Sequence, residues 1–357
     1  TLDAGDFSGP GGARRLLRDR RVEMAVLETA RGGLLRRGLA VDQAEVAVVT
    51  NIAEDHLGES AVYTLADLAE AKLVVAHALG GVRPLVLNAD DPALVQAAPA
   101  VPCPAAGDSD DPAHPTVLAA GTAGGLTATL VGDQVTLGKG TASRTVTSVS
   151  RIPITVGGAA RYNVSNALAA ALVGTILGLD DAAIAKGLAA LTNSPTGNLG
   201  RLNAFEFGSV RAFVDFAHNP HGLTALMEMA RALPAARRLV VIGQAGDRDD
   251  HAIRELARTA WLGAPDRVLV KEMPEYLRGR PAGEVTGMLL EELRRLGAQE
   301  DQLDLAVGEL QAARQALAWA RDGDLLLLTV HADRDTVLRY LQRLAAEGWT
   351  AGKPLPA

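Results

Sequence analysis

The sequence predicts a two-domain α/β protein, and three observations point to it. Short apolar runs alternate with helical patterns both early and late in the chain. A Thr-, Val- and Gly-rich stretch with period-two alternation interrupts the first region, at about 115–156. A Pro-, Gly- and Asn-rich segment, TNSPTGNLGR (192–201), separates the two regions. Alternating strand and helix imply mostly parallel sheets with covered faces, and 357 residues suit two ordinary domains. The boundaries are set at 1–195 and 199–357.

In order, VEMAVLET (22–29) and AEVAVVTNI (44–52) read as buried strands, and TLADLAEAKLVVAHAL (64–79) carries apolar residues at helical spacing. RPLVLNADD (83–91) is a strand entering a turn. The stretch over 115–156 reads as small antiparallel strands inserted in, or packed on, the first domain. RYNVSNALAAALVGTILG (161–178) is a helix, and DDAAIAKGLAAL (180–191) is another with Asp180 as its N-cap. After the linker, VRAFVDFAH (210–218), RRLVVIGQAGDR (237–248), PDRVLVKEMP (265–274) and GDLLLLTVHAD (323–333) are strands with flanking helices, as in a Rossmann-like domain.

Composition narrows the function classes. The net charge of −7 argues against a nucleic-acid surface and an anionic membrane. The single cysteine, Cys103, excludes an internal disulfide and a cysteine metal cluster, and no run of about 18 apolar residues occurs. The expectation is a cytoplasmic protein. Arg far outnumbers Lys, which draws notice to the few lysines.

Candidate chemistry sits where strands end, the usual place for ligands in open α/β sheets. Glu28 ends a strand and is either an ordinary carboxylate or a hard-metal ligand. Asn51, Glu54, Asp55 and His56 follow the next strand, where Asp55 could equally cap a helix. Lys72 lies at the edge of an apolar stripe, where a lysine is costly without a partner. Asn88, Asp90 and Asp91 have turn chemistry but could also bind ribose hydroxyls. Asp215, His218 and Asn219 end a strand just before Pro220, which suits a first helical turn. Gly243 and Gly246 in GQAGDRDD are a weak signal for phosphate binding.

In order and spacing, NIAEDHLG, EAK, LNADD, YNVSNALAA, GR and DFAHNPHG resemble the middle and C-terminal domains of the Mur ligase family of ATP-dependent amide-bond ligases. GDFSGPGGARRLLRD (5–19), VLETARGGLLRRGL (26–39), GDRDDHAIREL (246–256) and KEMPEYLRGRPAGE (271–284) look closest to the C-terminal Mur-like half found in cyanophycin synthetases. The resemblance covers almost the whole chain. It implies a carbon–nitrogen ligase using ATP and Mg²⁺, in which a carboxylate is phosphorylated and an amine then attacks the acyl phosphate. In the cyanophycin branch the amine is arginine and the acceptor is rich in aspartate. By the same resemblance, Glu28 and His56 match the magnesium-holding positions, with Ser8 as a hydroxyl near the metal. Lys72 matches a lysine carbamylated in many members, and Asn51 matches the loop facing the γ-phosphate. Asn163 and Asn166 match a helix near the adenine, and Asn88 with Asp90 a neighbouring strand turn. Arg201 and Asp215 match ATP contacts of the second domain, with His218 and Asn219 beside them. Family members close their C-terminal domain over the site.

One family feature is absent from these residues: the first strand with its Gly-rich phosphate loop. The nearest text, GDQVTLGKGTAS (132–143), has one residue too many for GxxxxGK[ST] and lies in a β-rich segment. In the family that loop precedes the GDFSGP stretch. The chain is therefore expected to be either a fragment of a complete ligase or a loop-less relative, with weak ATP binding by itself and exposed strand edges open to a homo-oligomer or a partner chain. The alternative to a ligase is a catalytically inactive Mur-like module that binds a substrate or partner. Arg31, Arg36 and Arg37, near Glu28, and Arg278 with Arg280 could meet an acidic acceptor or be solvated.

Overall fold

A computed structural model describes residues 7–53 and 62–356. They fall into two compact units, Thr1–Arg151 with Tyr162–Ala189, and Ile152–Arg161 with Ala190–Ala357.

The first unit runs α1 (Pro10–Leu17), α2 (Arg31–Arg37), β1 (Ala47–Val49), α3 (Leu65–Leu73), β2 (Leu85–Asn88), α4 (Pro92–Ala97), β3 (Ala105–Ser109), α5 (Pro115–Thr122), β4 (Leu126–Val131), β5 (Gln134–Lys139), β6 (Ala142–Ser148), α6 (Arg161–Ile176) and α7 (Asp181–Ala190). Helix starts follow side-chain chemistry. Thr64 and Asp67 form a reciprocal capping box on α3. Asp91 accepts from the Ala93 and Leu94 amides to open α4, and the Asp180 carboxylate accepts from the Ala183 amide at α7, as the sequence suggests. Among the described residues the strands form a sheet ordered β1-β2-β3-β4-β5-β6. The pairs from β1 to β4 are parallel and those from β4 to β6 antiparallel. Val49 lies opposite Leu87, and Asn88 opposite Asp108. The chain therefore leaves β1, β2 and β3 on the same rim. Leu68, Leu79, Leu85 and Leu94, each 2% exposed or less, anchor the core beneath that rim.

One local expectation needs correction. Residues 22–29 form no strand, and Met24 and Val26 stand 64% and 91% exposed. A strand needs a ladder partner for its amides and carbonyls, and the ladder among the described residues begins at β1. The segment is irregular, and its end is held by the Gly9 amide donating to the Glu28 carbonyl at 3.0 Å. At the other end, the Thr- and Val-rich stretch forms small antiparallel strands inserted in the first unit, as expected, although its first residues are helical. Pro115 opens helix α5, and β4, β5 and β6 then continue the parallel sheet as an antiparallel extension. GDQVTLGKG lies on β5 and its hairpin turn to β6, so it lacks the strand–loop–helix setting of a phosphate loop.

The second unit runs β7 (Asn203–Phe207), β8 (Val210–Asp215), α8 (Pro220–Ala232), β9 (Arg238–Ile242), α9 (Asp250–Leu262), β10 (Arg267–Glu272), α10 (Glu284–Arg295), β11 (Leu303–Val307), α11 (Glu309–Trp319), β12 (Leu325–Thr329) and α12 (Arg334–Ala346). Its sheet is ordered β11-β10-β9-β12-β8-β7, parallel except for the β7–β8 hairpin. β12 is buried at every position, as an all-parallel interior strand with both faces covered must be. Leu326 and Leu328 pack with Val241, Leu317 and Leu341, and Phe207 meets Trp349 edge-on at 5.5 Å.

Candidate functional site

On the rim of the first unit, the loop after β1 carries Asn51, and the last turn of α3 carries Lys72. The half-buried Lys72 ammonium donates to the Asn51 carbonyl at 2.9 Å, across 21 positions of sequence. The same loop is tied to the next strand end, because the Ile52 amide donates to the Asp91 carboxylate at 2.6 Å. At the end of β2, the Asn88 side-chain oxygen accepts from the Asp90 amide at 2.9 Å. The Asp90 carboxylate in turn accepts from the Ser109 hydroxyl at 2.5 Å and the Asp110 amide at 2.9 Å. Asp90 thus clamps the ends of β2 and β3 together.

Asp108, one residue before Ser109, was not legible as special from sequence. It is 1% exposed, its Oδ2 accepts from the Ser165 hydroxyl on α6 at 3.3 Å, and its Oδ1 has no hydrogen-bond partner. Burial pushes its pKa up to about 8, the Ser165 hydrogen bond opposes the rise, and the nearby Asp90 charge adds to it. On α6, Asn166 donates to the Asn163 side chain at 3.3 Å, so these two candidates lie on one helical face.

The Gly9 amide, next to Ser8, donates to the Glu28 carbonyl at 3.0 Å, so the two candidates lie on neighbouring backbone. Beside them lies a cavity of about 290 Å³ lined by Ser8, Gly11, Gly12, Gly33, Arg36 and Arg37. His56, with Glu54 and Asp55, lies outside the described residues. Among the described residues no cluster of three His, Cys, Asp or Glu side chains could hold a metal. The exposed Glu28 carboxylate and the Ser8 hydroxyl are hard oxygen donors, the kind Mg²⁺ takes together with phosphate oxygens and water. The donor chemistry therefore fits that ion.

In the second unit the candidates gather at the end of β8. The Asp215 carboxylate accepts from the Leu202 and Ala217 amides, both at 2.8 Å. Burial raises its pKa, and those amides and the Arg201 charge oppose the rise. The Arg201 guanidinium stands over the Phe216 ring at 5.2 Å, and Phe216 also touches His218 at 5.2 Å. Asn219 caps α8, its side-chain oxygen accepting from the Gly222 amide at 2.8 Å.

The two glycines of GQAGDRDD serve close packing. A Cβ on Gly243 would lie 2.6 Å from Lys271 Cγ, and one on Gly246 would lie 2.0 Å from the Leu277 carbonyl oxygen. Arg280 ties the same loops, donating to the Gly246 and Arg248 carbonyls at 2.9 and 2.8 Å and pairing with Asp250 and Glu284. Arg278 lies over Tyr276 at 4.9 Å.

Lys271, Glu309 and His331 also escape a reading of the sequence alone. A lysine inside the apolar run RVLVKE, in a chain with five lysines, is the available signal. No helix among the described residues is long and apolar enough to cross a membrane.

Comparison with known proteins agrees with this architecture. Residues 13–174 match the Mur ligase middle domain, and residues 200–330 match the Mur ligase glutamate ligase domain. A cyanophycin synthetase of Synechocystis sp. is 38% identical over 81% of this chain and 33% of that protein. One of Trichormus variabilis is 33% identical over 97% of this chain and 38% of its own length. The chain thus spans about a third of the length of these relatives. A Bacillus velezensis UDP-N-acetylmuramoyl-L-alanyl-D-glutamate–2,6-diaminopimelate ligase is 27% identical over 87% of this chain and 60% of that protein. Among solved structures, MurF of Acinetobacter baumannii superposes with a TM-score of 0.64 at 17% identity, covering 96% of this chain and 70% of that one. A bifunctional folylpolyglutamate synthase/dihydrofolate synthase with Mn, AMPPNP and L-glutamate bound gives 0.60 at 20%, covering 92% of this chain and 69% of that one. At such identities the two solved structures speak for the fold alone. With the middle domain and the glutamate ligase domain in sequence, each matched along most of its unit, the chain belongs to the Mur ligase family.

Proposed function

We propose that this chain is the Mur-type portion of an ATP-dependent amide ligase, with residues 1–195 as its ATP- and metal-binding domain and 199–357 as its C-terminal domain. The observation that carries the reading is the meeting of Lys72 and Asn51 at 2.9 Å on the carboxyl rim of a parallel sheet. The finer reading follows the cyanophycin synthetase relatives: arginine is the amine and an aspartate-rich chain the acceptor. In the reaction, a carboxylate oxygen attacks the γ-phosphorus of ATP and ADP leaves. The amine nitrogen then attacks the acyl carbon, phosphate departs, and the amine gives up a proton. Mg²⁺, when bound, neutralises charge on the transferring phosphoryl group, and Glu28, Ser8 and His56 are the residues proposed to hold it. Asn51 orients the γ-phosphate. Lys72, kept at the rim by its bond to Asn51, is proposed to take up CO₂ on its amine with loss of a proton, becoming a carboxylate-like ligand. Asn163, Asn166, Asn88 and Asp90 are proposed to contact the nucleoside on the first unit. Arg201, Asp215 and His218 are proposed to meet nucleotide on the second, with Asn219 holding the helix start beside them.

The test is calorimetric titration with ATP and Mg²⁺, followed by phosphate release with arginine and an aspartate polymer. The chain by itself, without the phosphate loop, is expected to bind ATP weakly; micromolar binding with amine-dependent phosphate release would rule out the inactive module. Binding of the polymer without ATP binding would replace the ligase with the inactive binding module.

A further inference from the structure

Beneath the β8 rim of the second unit lies a buried polar constellation outside the proposed nucleotide contacts. Lys271, on β10, is 1% exposed, and its ammonium pairs with the Glu309 carboxylate at the first residue of α11. It also donates to the Thr329 carbonyl at 2.6 Å and meets His331 Nδ1 at 3.1 Å. Since an ammonium only donates, Nδ1 is the acceptor, and the imidazole proton sits on Nε2. That Nε2 then donates to the Ala217 carbonyl at 3.1 Å. Glu309 completes the arrangement by accepting from the His331 and Asp333 amides, both at 2.7 Å. Every group is satisfied, in a chain of bonds leading from β10 through β12 to the loop after β8.

The endpoint matters. Ala217 lies between Asp215 and His218, and the Phe216 ring packs edge-on against His331 at 5.2 Å. His331 and His218 also stand ring to ring at 6.4 Å. We propose that Lys271, Glu309 and His331 act together as a positioning unit that fixes the loop 215–219. Lys271 sets the His331 tautomer, and the His331 Nε2 proton holds the Ala217 carbonyl and so the orientation of Asp215 and His218. Gly243 belongs to the device, because only a residue without Cβ leaves room for the Lys271 stem. The role assigned to the loop rests on the nucleotide-contact reading above; the positioning itself does not.

Burial and the Lys271 charge hold the His331 pKa well below its ordinary range, consistent with a neutral ring. Lys271 alone cannot be removed cleanly, because Glu309 would be left buried and unpaired. The informative variant is the full chain carrying Lys271→Met with Glu309→Gln, which removes both charges together. Histidine-labelled ¹⁵N spectra of the wild type should show His331 neutral with its proton on Nε2 at pH 6 to 7, where Lys271, whose pKa burial lowers to about 8, is still an ammonium. In the double variant that tautomer preference should be lost and the His218 ring signals should move, with the circular dichroism spectrum unchanged. ATP–Mg²⁺ affinity should fall about tenfold, with His331→Asn giving a similar loss. Unmoved His218 signals in the folded double variant would overturn the positioning role, whether or not the wild type binds ATP. An affinity within twofold of a wild type that does bind ATP would overturn its relevance to the nucleotide. A wild type that binds no ATP would defeat the ligase reading alone.

Discussion

Asp108 offers a stability measurement with a definite sign and shape. Its carboxyl is 1% exposed, with one oxygen unpartnered, and is held protonated up to about pH 8. In the unfolded chain the same group ionises near its ordinary 3.8. Between those two values the unfolded state gains from ionisation and the folded state does not. Stability should therefore fall as pH rises from about 4 to about 8, at about 1.4 kcal/mol per pH unit, and be level outside that window. At pH 7 the penalty reaches at most about 4 kcal/mol. Asp108→Asn keeps the shape and the bond from Ser165 but cannot ionise. It should match the wild type at pH 4 and exceed it by up to about 4 kcal/mol at pH 7. All three tryptophans (Trp261, Trp319 and Trp349) lie in the second unit, so their fluorescence would miss the change. Hydrogen exchange of the β2, β3 and β4 amides, compared at matched pH, reads it directly. In the limit, protection at pH 7 rises about a thousandfold in the variant. Parallel stability curves for the two proteins, or a variant less stable at pH 7, would show that Asp108 is ionised in the fold and that its burial costs nothing.

Three further outcomes are expected. Gly246→Ala must push apart a pair of loops that meet within 2.0 Å of the added carbon, so urea unfolding followed by tryptophan fluorescence should show a loss of about 2 kcal/mol or more. Glu292, 2% exposed and bonded to Arg295 and Arg258, has its pKa pulled down to about 2, chiefly by the Arg295 hydrogen bond. Its contribution is present above the ordinary 4.5 and is lost as pH falls towards 2. Glu292→Gln should therefore melt several degrees lower at pH 7, with the gap to wild type closing in acid. Lys72→Ala should lower ATP-dependent phosphate release at least a hundredfold while leaving the circular dichroism spectrum intact, and ¹³C-bicarbonate should give a carbamate resonance in the wild type that the variant lacks.

Much of the architecture was legible because strands of a parallel sheet announce themselves as short, mostly apolar runs: AVV, LVLN, VRAFVD, RVLVKE and LLLLT all became strands. Capping chemistry was equally readable at Asp180, and Pro220 begins α8. The errors have physical causes. VEMAVLET has a strand's composition, yet strand formation depends on a neighbour that local sequence does not specify. β3, with the sequence AAGDS, carries no β-branched residue and does not stand out in the sequence, because its partners on both sides define it. The candidates at strand ends were picked out because such ends are marked by polar residues after apolar runs.

What the sequence by itself determined is the set of secondary elements with strong periodicity, the division into two α/β regions, and the ordered motifs that mark the Mur ligase family. What only the tertiary structure decided is pairing across distance. Lys72 reaches Asn51, Asp90 clasps the end of β3, Asp108 is buried against Ser165, and Lys271 meets Glu309 at a helix start and His331 in the loop after β12, 38 and 60 positions away. The reason is that a polar residue's surroundings, and with them its charge state and its bonds, are set by which strands and helices the fold brings against it. Sequence spacing carries that information only within a helix turn or a strand pair.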